Sequence, residues 1–268
     1  MRAALPALLI LPLFLPGPGA LAQDRVLFGP DRQPVAGYTR QVAAIADGDR
    51  LLYPGGVAIR VSRKLGCGKT TCVYEVAEPA WWKGKAVRVP MDEGALAHVG
   101  YFIGGEAALK EHGVPSVTMH ASRADQFVIV EKIESRMRLD RLFEDPFAVP
   151  EAERRHLIEE LKRFAALTRD FEDIADFRPD QLHYVEGRGW ILADWNEDHR
   201  IRGPGARAGN VFDPVFKDWV GFRGQDPKKT EWLRTVQAEI NRAVASARGA
   251  PEAPHPAAEC PAGFRGLK

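Results

Sequence analysis

The sequence predicts an α+β fold in which an antiparallel sheet comes first and a mainly helical part follows. The strand signal is the alternation of apolar side chains at Val57, Ile59 and Val61, because every second residue of a strand points to the same face. The helical signal comes later, in apolar residues that repeat at helical spacing after Pro150, namely Leu157, Ile158, Leu161, Phe164 and Leu167. With 268 residues, of which 45% are hydrophobic, the chain can form one large domain or two small ones.

The remaining strands of the sheet follow from short β-branched runs. Val73 and Val76 continue the pattern after the first strand, Ala86 to Val89 form another strand, and Phe127 to Glu131 form a further one. Residues 23–54 carry scattered charges and are predicted to be an N-terminal extension with a short helix.

Helix boundaries are marked by glycine and proline. The segment from Met91 to His112 is predicted to be helical, with Gly113 and Pro115 as stop signals. Pro150 suits the first turn of the second helix. A last helix presents one apolar face, which consists of Trp232, Leu233, Val236, Ile240 and Val244.

The N-terminus has the pattern of a secretory signal peptide. Arg2 precedes an apolar run, and Ala20-Leu21-Ala22 supplies a small-x-small cleavage sequence before Gln23. We therefore predict that residues 1–22 are a signal peptide, that the protein is exported to the periplasm or secreted, and that its mature form has no membrane segment. A net charge of +1 argues against binding of nucleic acid through bulk electrostatics.

Export bears on the cysteines, because an oxidising compartment permits disulfides. Cys67 and Cys72 flank a predicted hairpin tip with four residues between them. The sequence leaves two alternatives open, a disulfide at the tip or two separate thiols.

Two aspartates stand on either side of a predicted hairpin. Asp176 begins the sequence Asp-Phe-Arg-Pro-Asp-Gln, which ends at Gln181, and Asp194 follows the apolar strand Trp-Ile-Leu-Ala. The turn between them is Glu-Gly-Arg-Gly at residues 186–189, a composition typical of hairpins.

Further motifs lie upstream of these aspartates in a fixed order. Gly66 and Gly68 stand in a glycine-rich sequence that continues to Val73. Ala86-Val87-Arg88 forms a short strand that ends in a cation, and Glu106 lies in the helix that follows. Glu131 ends the later strand.

These motifs, in this order, resemble those of the protein-kinase-like superfamily from Gly55 to Arg248. The resemblance implies a two-lobed fold. Residues 55–132 would form an N-lobe built on an antiparallel sheet, residues 133–248 a small, mainly helical C-lobe, and residues 249–268 a flexible tail. No A-P-E motif lies between Asp194 and the end of the last predicted helix, where kinases carry one, so the chain resembles a minimal version of the fold.

The resemblance also implies a role for each motif in ATP-dependent phosphoryl transfer. Asp176 would act on the proton of the attacking hydroxyl, and Arg88 would hold phosphates while it pairs with Glu106. Gln181 and Asp194 would bind Mg²⁺. The residues predicted to contact ATP are Gly66, Gly68, Lys69, Val73, Ala86, Arg88 and Glu131.

Two departures from the superfamily pattern keep a second function open. Arg88 stands where kinases have lysine, and Gln181 where they have asparagine. The chain is therefore predicted to be either a kinase acting on a hydroxyl, with a protein as substrate, or an exported pseudokinase that binds partners without efficient transfer. Lys69 or Lys85 could replace the missing lysine.

A different nucleotide motif is also suggested by Gly68-Lys69-Thr70, since Gly-Lys-Thr ends the P-loop sequence. A P-loop must open a helix, and its first glycine would fall on Arg63. The residues after Thr70 favour a strand, which argues against this alternative.

Overall fold

The structure, a computed structural model, describes residues 22–196, 199–203, 209–221 and 226–249, and it shows an α+β protein. The predicted signal peptide lies outside the described residues except for Ala22. The predicted tail lies outside them except for Gly249.

A seven-stranded sheet is built from the first half of the chain. Its strands are β1 (Asp24–Val26), β2 (Arg50–Tyr53), β3 (Val57–Cys67), β4 (Thr71–Glu78), β5 (Ala86–Pro90), β6 (Met119–Arg123) and β7 (Phe127–Val130). They lie in the order β1-β2-β3-β4-β5-β7-β6. Only the β1 and β2 pair is parallel among these neighbours. Residues 23–54, predicted to be an extension, thus contribute two strands to the sheet.

Both faces of the central strands are buried. On β5, Val87 and Val89 pack into one apolar cluster together with the first helix, whereas Ala86 packs into a second cluster that contains the later helices. On β7, Ile129 and Val128 are divided between the two clusters in the same way. This division follows from the alternation of side chains along a strand.

The helices supply the rest of the core. They are α1 (Tyr38–Ala43), α2 (Ala97–Glu111), α3 (Leu139–Glu144), α4 (Glu151–Leu167), α5 (Asp213–Val220) and α6 (Pro227–Gly249). The helix predicted from Met91 begins later, because Asp92 accepts a hydrogen bond from the backbone N–H of Ala95 (2.8 Å) and caps a separate 3-10 turn. Within the described residues, no helix has the length and apolar composition needed to cross a membrane.

Two small sheets carry the segments that contain the predicted aspartates. One consists of β8 (Met137–Arg138), β10 (Leu182–Val185) and β11 (Gly189–Leu192), and the other of β9 (Phe171–Asp173) and β12 (Arg200–Ile201). The predicted hairpin is present as the β10 and β11 pair. Asp176 therefore lies in the loop between β9 and β10, and Asp194 lies just after β11.

The glycine-rich segment forms an antiparallel hairpin between β3 and β4. Cys67 and Cys72 are a cross-strand pair at its tip and form a disulfide. Because a strand and not a helix follows Thr70, the P-loop alternative is excluded.

Candidate functional site

Two adjoining cavities lie between the glycine-rich hairpin and the segment that carries Asp194. Their volumes are about 360 and 530 Å³. The first is the polar cavity, lined by carboxylates and cations such as Asp176, Asp194 and Lys69. The second is the apolar cavity, which has Ala86 and Val130 in its wall. Both share a neck lined by Gly68, Val73, Arg88, His183 and Ala193.

Nearly all the residues predicted from the sequence line one of these cavities. The polar cavity holds Lys69, Asp176, Gln181 and Asp194. The apolar cavity holds Gly66, Ala86 and Glu131. Gly68, Val73 and Arg88 line both. Glu106 lines neither of them.

Arg88 is the cation at the neck. Its Nη2 lies 2.6 Å from Asp194 Oδ1, its Nη1 donates to the carbonyl of Ala193 (3.2 Å), and its guanidinium lies over the Phe102 ring at 4.3 Å. Its side chain is 13% exposed. These contacts fix a single guanidinium beside the carboxylate in a partly buried site, where charges attract more strongly than in water.

Glu106 does not pair with Arg88, contrary to the expected arrangement. Among the described residues Arg88 forms its ion pair with Asp194, and α2 presents Phe102 to its guanidinium. One turn after Phe102, Gly105 lies against Trp195 and Asn196. The acidic residue next in sequence is thus not the partner of this cation.

Asp194 is anchored through the residue that follows it. Trp195 is 4% exposed, its ring stacks on Phe102 at 4.2 Å between centroids, and its Nε1 donates to the Phe102 carbonyl (2.9 Å). Asp194 Oδ1 also accepts from the Trp195 backbone N–H (3.1 Å). Asp194 Oδ2 accepts no hydrogen bond from the described residues.

Gln181 braces the loop that holds Asp176. Its Nε2 donates to Asp176 Oδ2 (3.2 Å), and its Oε1 accepts from the Arg178 N–H (3.1 Å). Asp176 adopts a left-handed backbone conformation with φ of 62°, which Asp and Asn tolerate better than most residues. The Asn196 N–H donates to the Ala175 carbonyl (3.1 Å), so the chain after Asp194 is tied to this loop.

Glu131 lies at the end of the apolar cavity and has its own cation. Arg188 donates to both of its carboxylate oxygens (2.6 and 3.1 Å), and the Thr118 N–H donates to Oε1 (2.8 Å). Burial alone would raise the pKa of Glu131, but the bonds from Arg188 and Thr118 outweigh it and lower the pKa. The carboxylate is therefore held in place across the end of β7.

His183 lies at the neck in β10. Its Nδ1 is buried without a hydrogen-bond partner among the described residues. Burial and then the neighbouring Arg138 lower the pKa of the imidazole, against the weaker opposite effect of Asp140 and Asp180. The neutral ring is favoured in the folded protein.

We expect His183 to make the free energy of unfolding depend on pH. A lowered folded pKa means that the unfolded chain binds more protons, so stability is lost as the pH falls below about 6.5, the ordinary pKa of His, towards the folded value. His183→Gln should flatten the curve of unfolding free energy between about pH 7 and pH 5, measured by urea denaturation. Parallel curves for the two proteins would contradict this assignment.

Several cavity residues were missed by the sequence reasoning. Phe102 and Trp195 hold Arg88 and Asp194, and His98 and Asn196 complete the wall of the polar cavity. Trp195 could have been recognised from the sequence, because a large aromatic residue directly after the predicted metal ligand Asp194 is expected to be buried beside the site. His98 gave no signal.

A preformed cation site of three or more His, Cys, Asp or Glu residues is not found in the part of the chain that the structure describes. Magnesium does not require such a cage, because it is commonly held by one or two carboxylates together with phosphates of the substrate. The donor set beside the polar cavity, Asp194 and the amide of Gln181, is of the hard oxygen kind that Mg²⁺ takes.

Comparison with known proteins gives little further guidance. No family model matches the chain, and no curated protein matches it. Among solved structures, the chain is similar to one described as the apo form of PpkA-294, with 15% sequence identity and a TM-score of 0.41. The match covers 56% of this chain and 61% of that one, so it spans less than two thirds of the solved protein.

Proposed function

We propose that this chain is a kinase-like phosphotransferase with a two-lobed arrangement, which moves the γ-phosphoryl group of ATP to a hydroxyl of a protein substrate with the help of Mg²⁺. The observation that carries the proposal is the joined pair of cavities, in which Asp176, Arg88 and Asp194 line the polar part. We also propose that the protein acts outside the cytoplasm, because residues 1–22 have the pattern of a signal peptide.

The two cavities suit the two ends of a nucleotide. Small-molecule sites commonly have volumes of about 300–1,000 Å³ and are mostly apolar with a few polar groups. The apolar cavity, with Val73, Ala86 and Val130 in its wall, suits the base. The polar cavity, with Gly68, Lys69 and Arg88, suits the phosphates. Glycine at the hairpin tip lets backbone N–H groups approach phosphate oxygens closely.

Two carboxylates would then have different tasks. Asp194 would hold Mg²⁺ through Oδ2, which is not engaged by the described residues. Gln181 Oε1 would be a second oxygen donor and would use its other lone pair, since it already accepts from the Arg178 N–H. Bound Mg²⁺ supplies charge neutralisation at the phosphates. Asp176 would accept and orient the proton of the acceptor hydroxyl, and Gln181 Nε2 keeps its carboxylate directed.

One observation favours the alternative of a pseudokinase. The ion pair between Arg88 and Asp194 at 2.6 Å joins the phosphate-binding cation to the metal-binding carboxylate. Phosphates that bind Arg88 must compete with Asp194, and Glu106 gives Arg88 no second anchor. In a pseudokinase the ion pair between Arg88 and Asp194 would stay intact, and neither residue would bind phosphate or Mg²⁺.

The test of the nucleotide site is a thermal-shift titration of residues 23–268 with Mg-ATP. We expect stabilisation, which for a nucleotide at about 100 times its Kd is about 2.7 kcal/mol. Asp194→Asn should lose the Mg-dependent part, because the amide removes the charge that binds the cation. Asp24→Asn is the matched control, since Asp24 lies in β1 and pairs with the exposed Arg50.

The outcomes separate the two candidate functions. A shift in the wild-type protein and the control that disappears in Asp194→Asn supports the nucleotide site. The absence of any shift, in oxidising and in reducing buffer, would overturn the proposal of ATP binding and favour the pseudokinase.

A further inference from the structure

Asp49 is a buried carboxylate that lines neither cavity of the proposed nucleotide site. It directly precedes β2, and it is 1% exposed. Three donors surround it. The Ala46 N–H and Arg25 Nε contact Oδ2 at 3.0 and 2.7 Å, and the backbone nitrogen of Gln23 contacts Oδ1 at 2.8 Å.

These contacts keep the carboxylate ionised. Burial would raise the pKa of Asp49, but the backbone hydrogen bonds of Ala46 and Gln23 and the guanidinium of Arg25 outweigh burial and lower it. Among the described residues, Arg25 is the one cation paired with this carboxylate, and a further positive charge close to an anion favours its charged form.

Gln23 is held on both sides of its backbone. Its nitrogen contacts Asp49, and its carbonyl accepts from the Arg50 N–H (2.8 Å). β1 begins at the next residue and runs parallel to β2. The position of the Gln23 nitrogen is thus fixed by Asp49 and by the pairing with Arg50.

The bond before Gln23 is also the bond at which the leader pattern Ala20-Leu21-Ala22 ends. We propose that cleavage of the bond between Ala22 and Gln23 turns the Gln23 nitrogen into an α-ammonium that pairs with Asp49, so that the fold contains a receptor for its own processed N-terminus. This inference rests on the predicted leader and is independent of phosphoryl transfer.

The chemistry of the step is a simple hydrolysis. Water adds across the peptide bond, the carboxylate leaves with Ala22, and the amine of Gln23 takes up a proton, because the usual pKa of an α-amino group is about 7.7–8.0. One amide N–H donor is replaced by a charged group with three N–H donors. Hydrogen bonds between charged partners are roughly twice as strong as neutral ones.

The first measurement is the intact mass and N-terminal sequence of the exported protein, which should begin at Gln23. The second compares unfolding of that protein with a chain that keeps Ala22 as an additional residue, each with Asp49 and with Asp49→Asn. We expect the additional residue to lower the folding equilibrium constant about tenfold when Asp49 is present, which corresponds to about 1.4 kcal/mol. Asp49→Asn should remove most of this difference, whereas Asp24→Asn should keep it.

A second readout reports on the amine itself. A free N-terminal glutamine cyclises when its unprotonated amine attacks its own side-chain amide carbon, which forms a ring C–N bond and expels ammonia. An ammonium held by Asp49 cannot attack. The loss of ammonia, followed by mass spectrometry, should therefore be several-fold slower in native protein than in the same protein unfolded in urea. This comparison needs no variant, so it remains available even if Asp49→Asn fails to fold.

Three results would each overturn the inference. The first is a mature N-terminus at another residue. The second is a penalty of the additional residue that is as large in the Asp49→Asn variant as in the protein that keeps Asp49. The third is equal cyclisation in native and unfolded protein.

Discussion

Asp176→Asn is expected to lower the rate of phosphoryl transfer by about 10²–10⁴-fold, the usual contribution of a general base. Asparagine is the right replacement because Asp176 has φ of 62°, a backbone region that asparagine also tolerates. The amide keeps an oxygen for Gln181 Nε2 and loses the basic carboxylate. Affinity for Mg-ATP should stay nearly unchanged, since Asp194 is untouched.

The measurement is single-turnover transfer from labelled ATP, with nucleotide binding followed in parallel. Asp173→Asn is the control, because Asp173 lies in β9, pairs with Arg200 (2.8 Å) and is outside both cavities. If Asp176→Asn transferred phosphate as fast as the wild-type protein, the assignment of the base would be wrong even with nucleotide binding intact.

Gly105→Ala should cost about 1–3 kcal/mol in the free energy of unfolding, the usual range for overpacking. A methyl group at Gly105 would come within 2.4 Å of Trp195 Cδ1 and 2.8 Å of the Asn196 carbonyl oxygen. Either α2 or Trp195 has to move. Because Trp195 adjoins Asp194, the affinity for Mg-ATP should fall together with the stability.

Gly100→Ala is the matched control in the same helix, since a methyl group there meets no atom within 4 Å. Alanine is favoured over glycine in a helix by about 0.8–1.0 kcal/mol, so this variant should be as stable as the wild-type protein or more so. Urea denaturation of the two variants gives the comparison. Equal stability of both would show that the contact between α2 and Trp195 does not constrain the site.

Local sequence predicted the elements that have the clearest apolar patterns. The helix after Pro150 has apolar residues at helical spacing and is present as α4, and the strand from Phe127 is a continuous apolar run that is present as β7. β1 was not predicted, because a strand of three residues is too short to show an alternation of apolar and polar side chains. Its place in the sheet depends on pairing with β2, which the sequence of β1 alone does not encode.

The ion pair in the candidate site likewise could not be predicted from local sequence. The resemblance to kinases implied an ion pair between Arg88 and Glu106. The observed partner of Arg88 is Asp194, which is 106 residues away in the sequence. In the structure α2 presents Phe102 to the Arg88 guanidinium and packs Gly105 against Trp195. A glycine in contact with a tryptophan ring leaves no periodic signal in the sequence.

The Cys67 and Cys72 disulfide closes a very short loop, so it removes little conformational entropy from the unfolded chain. Its effect is on register. The ladder between β3 and β4 contains several irregularities before the tip, and a strand that slips by one residue turns every side chain to the opposite face. The cross-link fixes the pairing at the end of the ladder, directly beside Val73, which lines both cavities.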